Sequence, residues 1–315
     1  MKDFKTIIKE NNFSELSRIK KIDIHNHAAC SCTKEWLTKN NINMPKDKIT
    51  DIYSLNEFCK NYINPIHYTK KGIETLLKGN FDNCVKTGVS VVAPSIDYKI
   101  CIKVFDNNIN EFLSFLKEFK YDKLMILWDL GISRDTYEDN HFNMIIDLLK
   151  SKFFCGIDLY GVEDPSSNYK FKKYYKLANK LGIITKVHAG EQLGADYIKQ
   201  CIKDFKPKQI QHGINIIYDV KVMKLAKKKN IIFNICPTSN IVLGYAKSLE
   251  EHPIKRMVEY GLNVTIGTDD ILFFESNINN EYIKLYNANT LSLKQLDNIR
   301  KYGLNLVSNY CNNKK

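Results

Sequence analysis

The chain has 315 residues, enough for one large α/β barrel or two smaller domains, and its 44% apolar and 26% charged composition is ordinary for a globular protein. Its formal charge of +12 is almost wholly lysine, with arginine only at Arg18, Arg134, Arg256 and Arg300, and the lysines are spread along the whole chain. That pattern argues against a nucleic-acid partner, since arginine makes the bidentate phosphate and guanine contacts, and no apolar stretch reaches the length of a membrane span.

Nine cysteines are scattered through apparent strands and helices, and Met1-Lys2-Asp3-Phe4-Lys5 has no apolar core of a secretory leader. Reduced thiols in a cytoplasmic protein are therefore expected. Cys30 and Cys32 lie close to His25 and His27, but no paired Cys-x-x-Cys motifs complete a zinc finger.

In chain order, Phe4, Ile7 and Ile8 at helical spacing predict a short lead-in helix before Lys20. Lys21 to His27 is the first strand, and its alternation points His25 and His27 to the same side, where they either share a metal ion or stand as two pore-facing polar residues. Residues 33–86 follow with helical patches, no clear strand and a heavy aromatic load from Trp36 to Tyr68. This segment reads as packing between outer helices or as a helical lid over a pocket.

A regular rhythm then begins. Strands are expected at Val89–Asp97, Leu124–Leu130, Phe154–Leu159, Ile183–Ala189, Gln209–His212, Ile231–Ile235 and Val264–Asp269, each separated from the next by a helical stretch. Strands joined by helices pair in parallel through right-handed crossovers. Eight of them without a glycine-rich switch point predict a single α/β domain over residues 1–315, a (β/α)8 TIM-type barrel with the lid-like insertion after its first strand.

Catalytic groups in such barrels sit at the carboxyl ends of the strands. His25 and His27 end the first strand, His188 the fifth, His212 the sixth, and Asp269 and Asp270 the eighth, so one mouth gathers them all. Imidazole nitrogens plus one carboxylate suit zinc with a position left open for water. A lone histidine at a strand end is more often a hydrogen-bonded structural residue; the recurrence at four strand ends is what carries the reading.

The motifs at these positions are His25-Asn26-His27, Gly156-Ile157-Asp158-Leu159-Tyr160-Gly161, His188-Ala189-Gly190-Glu191, His212-Gly213, Cys236-Pro237-Thr238-Ser239-Asn240 and Thr268-Asp269-Asp270. In this order the set resembles the adenosine deaminase family of the amidohydrolase superfamily, from the first strand to the eighth. The resemblance implies that His25, His27, His188 and Asp269 hold one zinc ion per chain, which lowers the pKa of a bound water to about 7. It implies that Glu191 gives a proton to purine N1 and later to departing ammonia, and that His212 orients the water. Asp270 would meet ring N7 and the Gly161 backbone N–H ring N3, with His27 beside the substrate. The implied reaction is deamination of adenosine or a related 6-aminopurine nucleoside, giving inosine or the 6-oxopurine and ammonia. The partner is then a small aminopurine, with neither nucleic acid nor membrane involved.

Several neighbours read as structural: Asp158 as a brace for the strand ends, Cys236 as a small buried hydrophobe, and Ser239 and Asn240 as caps that also hold Asp269 and the mouth. His67, His141 and His252 have no motif around them and read as surface or packing residues. The chain also departs from the family pattern, with Ala28-Ala29-Cys30 in place of a polar ribose contact, Gln209-Ile210-Gln211, Ile271 after the paired aspartates, and Asp97-Tyr98-Lys99 on the second strand. None of these touches a proposed ligand or proton carrier. Two other readings stand beside the deaminase. One is a two-metal amidohydrolase acting on an ester or amide, which wants a bridging lysine from strand four. The other is a catalytically idle purine-binding protein on the same scaffold.

Overall fold

Short β-branched runs alternating with amphipathic helices leave one solution for burying both faces of the strands, a parallel sheet coiled under a helical layer. The computed structural model describes residues 2–45 and 49–312. Its barrel strands are β1 (Lys21–His27), β2 (Val89–Asp97), β3 (Asp129–Ser133), β4 (Gly156–Tyr160), β5 (Ile184–His188), β6 (Gln209–Gln211), β7 (Ile232–Ile235) and β8 (Asn263–Ile266). They pair in parallel in sequence order.

The seam between β8 and β1 closes through the segment just beyond β8. Asn26 bridges Asp269, the His25 carbonyl accepts from the Asp269 N–H at 2.9 Å, and the His27 N–H donates back to the Asp269 carbonyl at 3.3 Å. Barrel closure therefore places Asp269 against the His25-Asn26-His27 strand. The architecture is the expected α/β TIM-type barrel.

The third strand differs from its expected span. The apolar run from Leu124 divides into a two-residue strand, Met125–Ile126, and the barrel strand β3, which begins at Asp129. Between them the Trp128 ring packs against Phe81 and Phe119 in the helical layer. Hydropathy does not register this break, because Leu127 and Trp128 continue the apolar run beyond Ile126.

The barrel interior below the mouth is polar. Lys186 lies 2.6 Å from Asp129 Oδ2 and donates to the Ile24 carbonyl at 2.9 Å. Asn234 donates to Gln209 and Gln211 at 2.7 and 2.6 Å and accepts from Thr265 at 2.6 Å. The unusual Gln-Ile-Gln run thus fills the barrel with a satisfied hydrogen-bond network. Gly156 is bound to this layer, since a Cβ there would lie 2.0 Å from Asp129 Oδ1. Gly156→Ala should cost about 1–3 kcal/mol by overpacking, read as a lowered urea midpoint. An unchanged midpoint would mean that the layer yields.

The insertion is helical as expected, with helices at Lys34–Lys39, Ile52–Phe58 and Asn64–His67 and a π-helical turn at Cys59–Ile63. Asp51 caps the second of these by accepting the Ser54 N–H, while the Ser54 side chain reaches back to the Asp51 backbone. The long helix Lys70–Lys86 then leads into β2, and its Asn80 donates to Asn26 Oδ1 at 2.7 Å.

Candidate active site

The ligand atoms of His25, His27, His188 and Asp269 all lie within 4.8 Å of one another at the barrel mouth. His25 Nε2 is 3.2 Å from His188 Nε2, and Asp269 Oδ1 is 3.3 Å from His27 Nε2 and 3.7 Å from His25 Nε2. The rear nitrogens of His25 and His188 are committed elsewhere. His25 Nδ1 faces the Asn234 carbonyl at 2.9 Å and His188 Nδ1 faces Asp158 Oδ1 at 3.2 Å. Hydrogen bonds of this kind put the proton on Nδ1 and leave the Nε2 lone pair for a cation, so the donor set fits a tetrahedral metal. A second overlapping group, His25, His212, Cys236 and Asp269, is as compact.

Charge at this centre is unevenly distributed. Burial drives the His25 imidazole down to about 3, despite Asp269 beside it. Burial also lowers His27, but the Asp270 and Asp269 carboxylates outweigh it and bring the ring up to about 10. Asp269 is held well below the usual carboxylate range, because the His27 hydrogen bond and the surrounding imidazoles overcome burial. For Asp270 burial prevails over the attraction of His27 and, with the neighbouring Asp269 charge, pushes it up to about 7. Asp269 and His212 both hold the left-handed backbone conformation, φ 61° and 58°, which costs a non-glycine residue about 1–3 kcal/mol and tends to cluster at active sites.

Glu191 follows β5 in a loop held from both sides. Glu163 accepts the Glu191 and Leu193 N–H groups at 2.9 and 2.8 Å, and Asn215 donates to both of their carbonyls. Burial, then the Asp269 and Glu163 charges, raise the Glu191 carboxyl well above its ordinary value, keeping the acid protonated where a free glutamate would be ionised. His212 Nδ1 lies 3.3 Å from Glu191 Oε1, and its Nε2 lies 3.7 Å from Asp269 Oδ2.

These groups open onto a cavity of about 330 Å³ lined by His27, His188, Glu191, His212, Asp269 and Asp270 on the barrel side. The insertion forms the opposite wall with Ile52, Leu55, Cys59, Ile63, His67 and Tyr68. Residues 52–68 therefore cover the pocket, and Asn56 Nδ2 reaches across to Asp135 Oδ2 at 3.3 Å. Gly161 lines the cavity at φ +96°, where a Cβ would strike Asp135 Oδ2 at 2.4 Å. Ala28, Ala29 and Cys30 line it too.

Every residue named for the site in the sequence thus reaches this mouth. Asp158 braces His188, and Ser239 holds Asp269 Oδ2 with a 2.6 Å hydrogen bond. Two readings change. Ser239 and Asn240 do not cap the helix Pro237–Val242 but lie inside it, because the turn begins at Pro237 and Cys236 takes the cap position. His67 lines the cavity, its ring stacked on Tyr68. His141 meets the Tyr98 hydroxyl and His252 is buried in packing. Glu163 and Asp135 gave no sequence signal as site residues, since both lie in loops outside the expected strand ends, and Asn240, read as a cap that supports the mouth, gave no sign of its contacts with Glu191 and His212. Lys186, the one lysine near the ligands in sequence, is engaged by Asp129 below the mouth.

A barrel whose strand ends converge a His/Asp cluster and a buried carboxylic acid on one cavity defines a (β/α)8 hydrolase of the amidohydrolase type. Residues 113–315 match the family model for adenosine deaminase. A Treponema pallidum protein is 30% identical over 261 residues, spanning 81% of this chain and 87% of its own. Adenosine deaminase of Plasmodium gallinaceum is 29% identical over 313 residues, spanning 90% and 85%. The crystal structure of adenine deaminase from Arthrobacter aurescens superposes with a TM-score of 0.75 at 21% identity, covering 91% of this chain and 93% of that one. The chain belongs to the adenosine deaminase family and is a hydrolytic deaminase.

Proposed function

We infer that this enzyme is a zinc-dependent deaminase of adenosine or a closely related 6-aminopurine nucleoside, with residues 1–315 working as one domain. Water replaces the exocyclic amine at C6, yielding inosine or the corresponding 6-oxopurine and ammonia. The observation that carries the reading is the tight His25–His27–His188–Asp269 cluster, with the Glu191 carboxyl buried beside it and lining the same cavity. His25, His27, His188 and Asp269 would hold the zinc ion, which when bound supplies an ionised water at neutral pH and stabilises charge developing at C6. Eight cysteines among the described residues are free thiols, in keeping with a reducing, cytoplasmic setting.

The protein groups divide the remaining work. Glu191 donates its proton to ring N1, which draws electron density from C6, and its carboxylate then takes the proton of the hydroxyl added at C6 and passes it to the departing amine as the C6–O double bond forms. His212 orients the attacking water. Asp270 lines the cavity with a buried, unpartnered Oδ1, and, raised to about 7, it can hold a proton near neutral pH for ring N7. Gly161 offers a backbone N–H to ring N3, and His27 flanks the substrate.

The substituent on the purine is read by what lines the outer cavity. Among the described residues Lys60 is the one lysine lining the cavity, which Asp97, Asp135 and the catalytic acids also line, and this favours a neutral substituent over a phosphate. The Ala28 and Ala29 methyls cannot accept a hydrogen bond from a 5′-hydroxyl. Removing that hydroxyl should therefore lower kcat/KM by less than about tenfold (~1.4 kcal/mol), well short of the ~3 kcal/mol that an unpaired buried partner can cost. A hundredfold loss for 5′-deoxyadenosine relative to adenosine would place a ribose reader elsewhere.

The decisive measurement is ammonia release from purine bases, nucleosides and nucleotides with zinc-loaded protein. Turnover of an aminopurine nucleoside is expected. Absence of turnover on every 6-aminopurine, with zinc bound, would leave the idle binding protein as the better account.

A further inference from the structure

Asn240 is buried completely, and its carboxamide stands between the two proton-handling side chains of the site. Nδ2 is 2.7 Å from Glu191 Oε1 and 3.0 Å from His212 Nδ1, while Oδ1 is buried with no hydrogen-bond partner. A buried carbonyl without a partner is costly. A side chain with half its capacity unmet is tied to the site through its other half, the N–H pair.

We propose that Asn240 is a positioning residue that fixes where the protons sit on both neighbours. The amide N–H groups donate to Glu191 Oε1 and to His212 Nδ1, so both of those atoms must present lone pairs. The Glu191 proton is then confined to Oε2, the oxygen left for the substrate. The His212 proton is confined to Nε2, the nitrogen that faces Asp269 Oδ2. One amide thereby sets a general acid to donate into the cavity and an imidazole to hold water through an N–H. The reversed amide would set Oδ1 against Glu191 Oε1 at 2.7 Å, a contact bearable only with the Glu191 proton turned away from the substrate.

The proposal rests on the deaminase reading for its consequences in turnover, but the proton positions are measurable without turnover. The test is the ¹⁵N spectrum of histidine-labelled, zinc-loaded protein, with His212 assigned by its loss in His212→Gln. The expected tautomer is Nε2–H. An Nδ1–H tautomer in the unmodified protein overturns the proposal by itself, whether or not any variant folds.

Two substitutions extend the test. Asn240→Ala should lower kcat about 10- to 100-fold, within the range of acid–base effects, with KM held within about threefold. Asn240→Asp keeps the shape but replaces a donor by an acceptor, so it should shift His212 to Nδ1–H and lower kcat further. If both variants lose only thermal stability, keeping the tautomer and kcat, Asn240 is merely structural and the inference is wrong. If the tautomers behave as expected but no aminopurine is turned over, the fault lies in the assigned reaction instead.

Discussion

Glu191→Gln is expected to retain zinc and substrate while losing turnover by about 10³-fold or more. Proton transfer by a positioned side chain is worth about 10²–10⁴-fold, and activation of C6 through N1 adds to it. Glutamine preserves the volume and can still accept the Asn240 N–H through its amide oxygen, so the loop held by Glu163 and Asn215 should stay in place. What it cannot do is release a proton. The wild-type carboxyl suits the task because burial and the nearby Asp269 and Glu163 charges keep it protonated at a pH where free glutamate is ionised. The check is kcat and KM together with metal content. A variant within tenfold of wild type would remove Glu191 from the proton path, and a lost zinc ion would make it a structural support.

The positions of these groups were legible in the sequence because a barrel converts strand ends into neighbours. His25, His188, His212 and Asp269 are far apart along the chain, but each ends or follows an apolar run, and eight such runs allow one arrangement. Strand ends are therefore good predictors of the mouth. They say little about the supports between strands. Glu163 lies in a loop beyond β4, and its two backbone partners come from the next loop, a pairing that no local pattern encodes. Asn240 suggested a cap because Ser and Asn favour caps. Pro237 opens the helix earlier, and tertiary demands from Glu191 and His212 take the side chain. The break at Trp128 was hidden for a different reason, since a run apolar throughout does not reveal where it changes from strand to packing against the helical layer.

The second large effect concerns the metal. His25→Ala and Asp269→Ala should each reduce zinc from about one ion per chain to a small fraction of that, as expected when a four-ligand site loses a ligand. His25 is 1% exposed, wedged between Asn234 and His188, so no water easily substitutes for its ring. Asp269 is harder to replace because it has three partners besides the proposed ion. Its backbone closes the barrel against β1, its Oδ2 accepts from Ser239, and its Oδ1 meets His27. Asp269→Ala keeps the backbone contacts, so the barrel should remain closed while the four-donor cluster loses its only carboxylate. Asp158→Asn probes the layer behind: it weakens the hold on His188 Nδ1, and loss of such a hydrogen bond behind a ligand typically costs about 10–100-fold in metal affinity. Elemental analysis, a chelator competition and thermal unfolding separate these cases. The ligand variants should show neither bound zinc nor the zinc-dependent rise in Tm that a ligand of the folded state confers, and Asp158→Asn should show both with a weaker Kd. Full zinc retention in His25→Ala and Asp269→Ala alike would place the ion outside this cluster, with the neighbouring His212 and Cys236 the next donors to test.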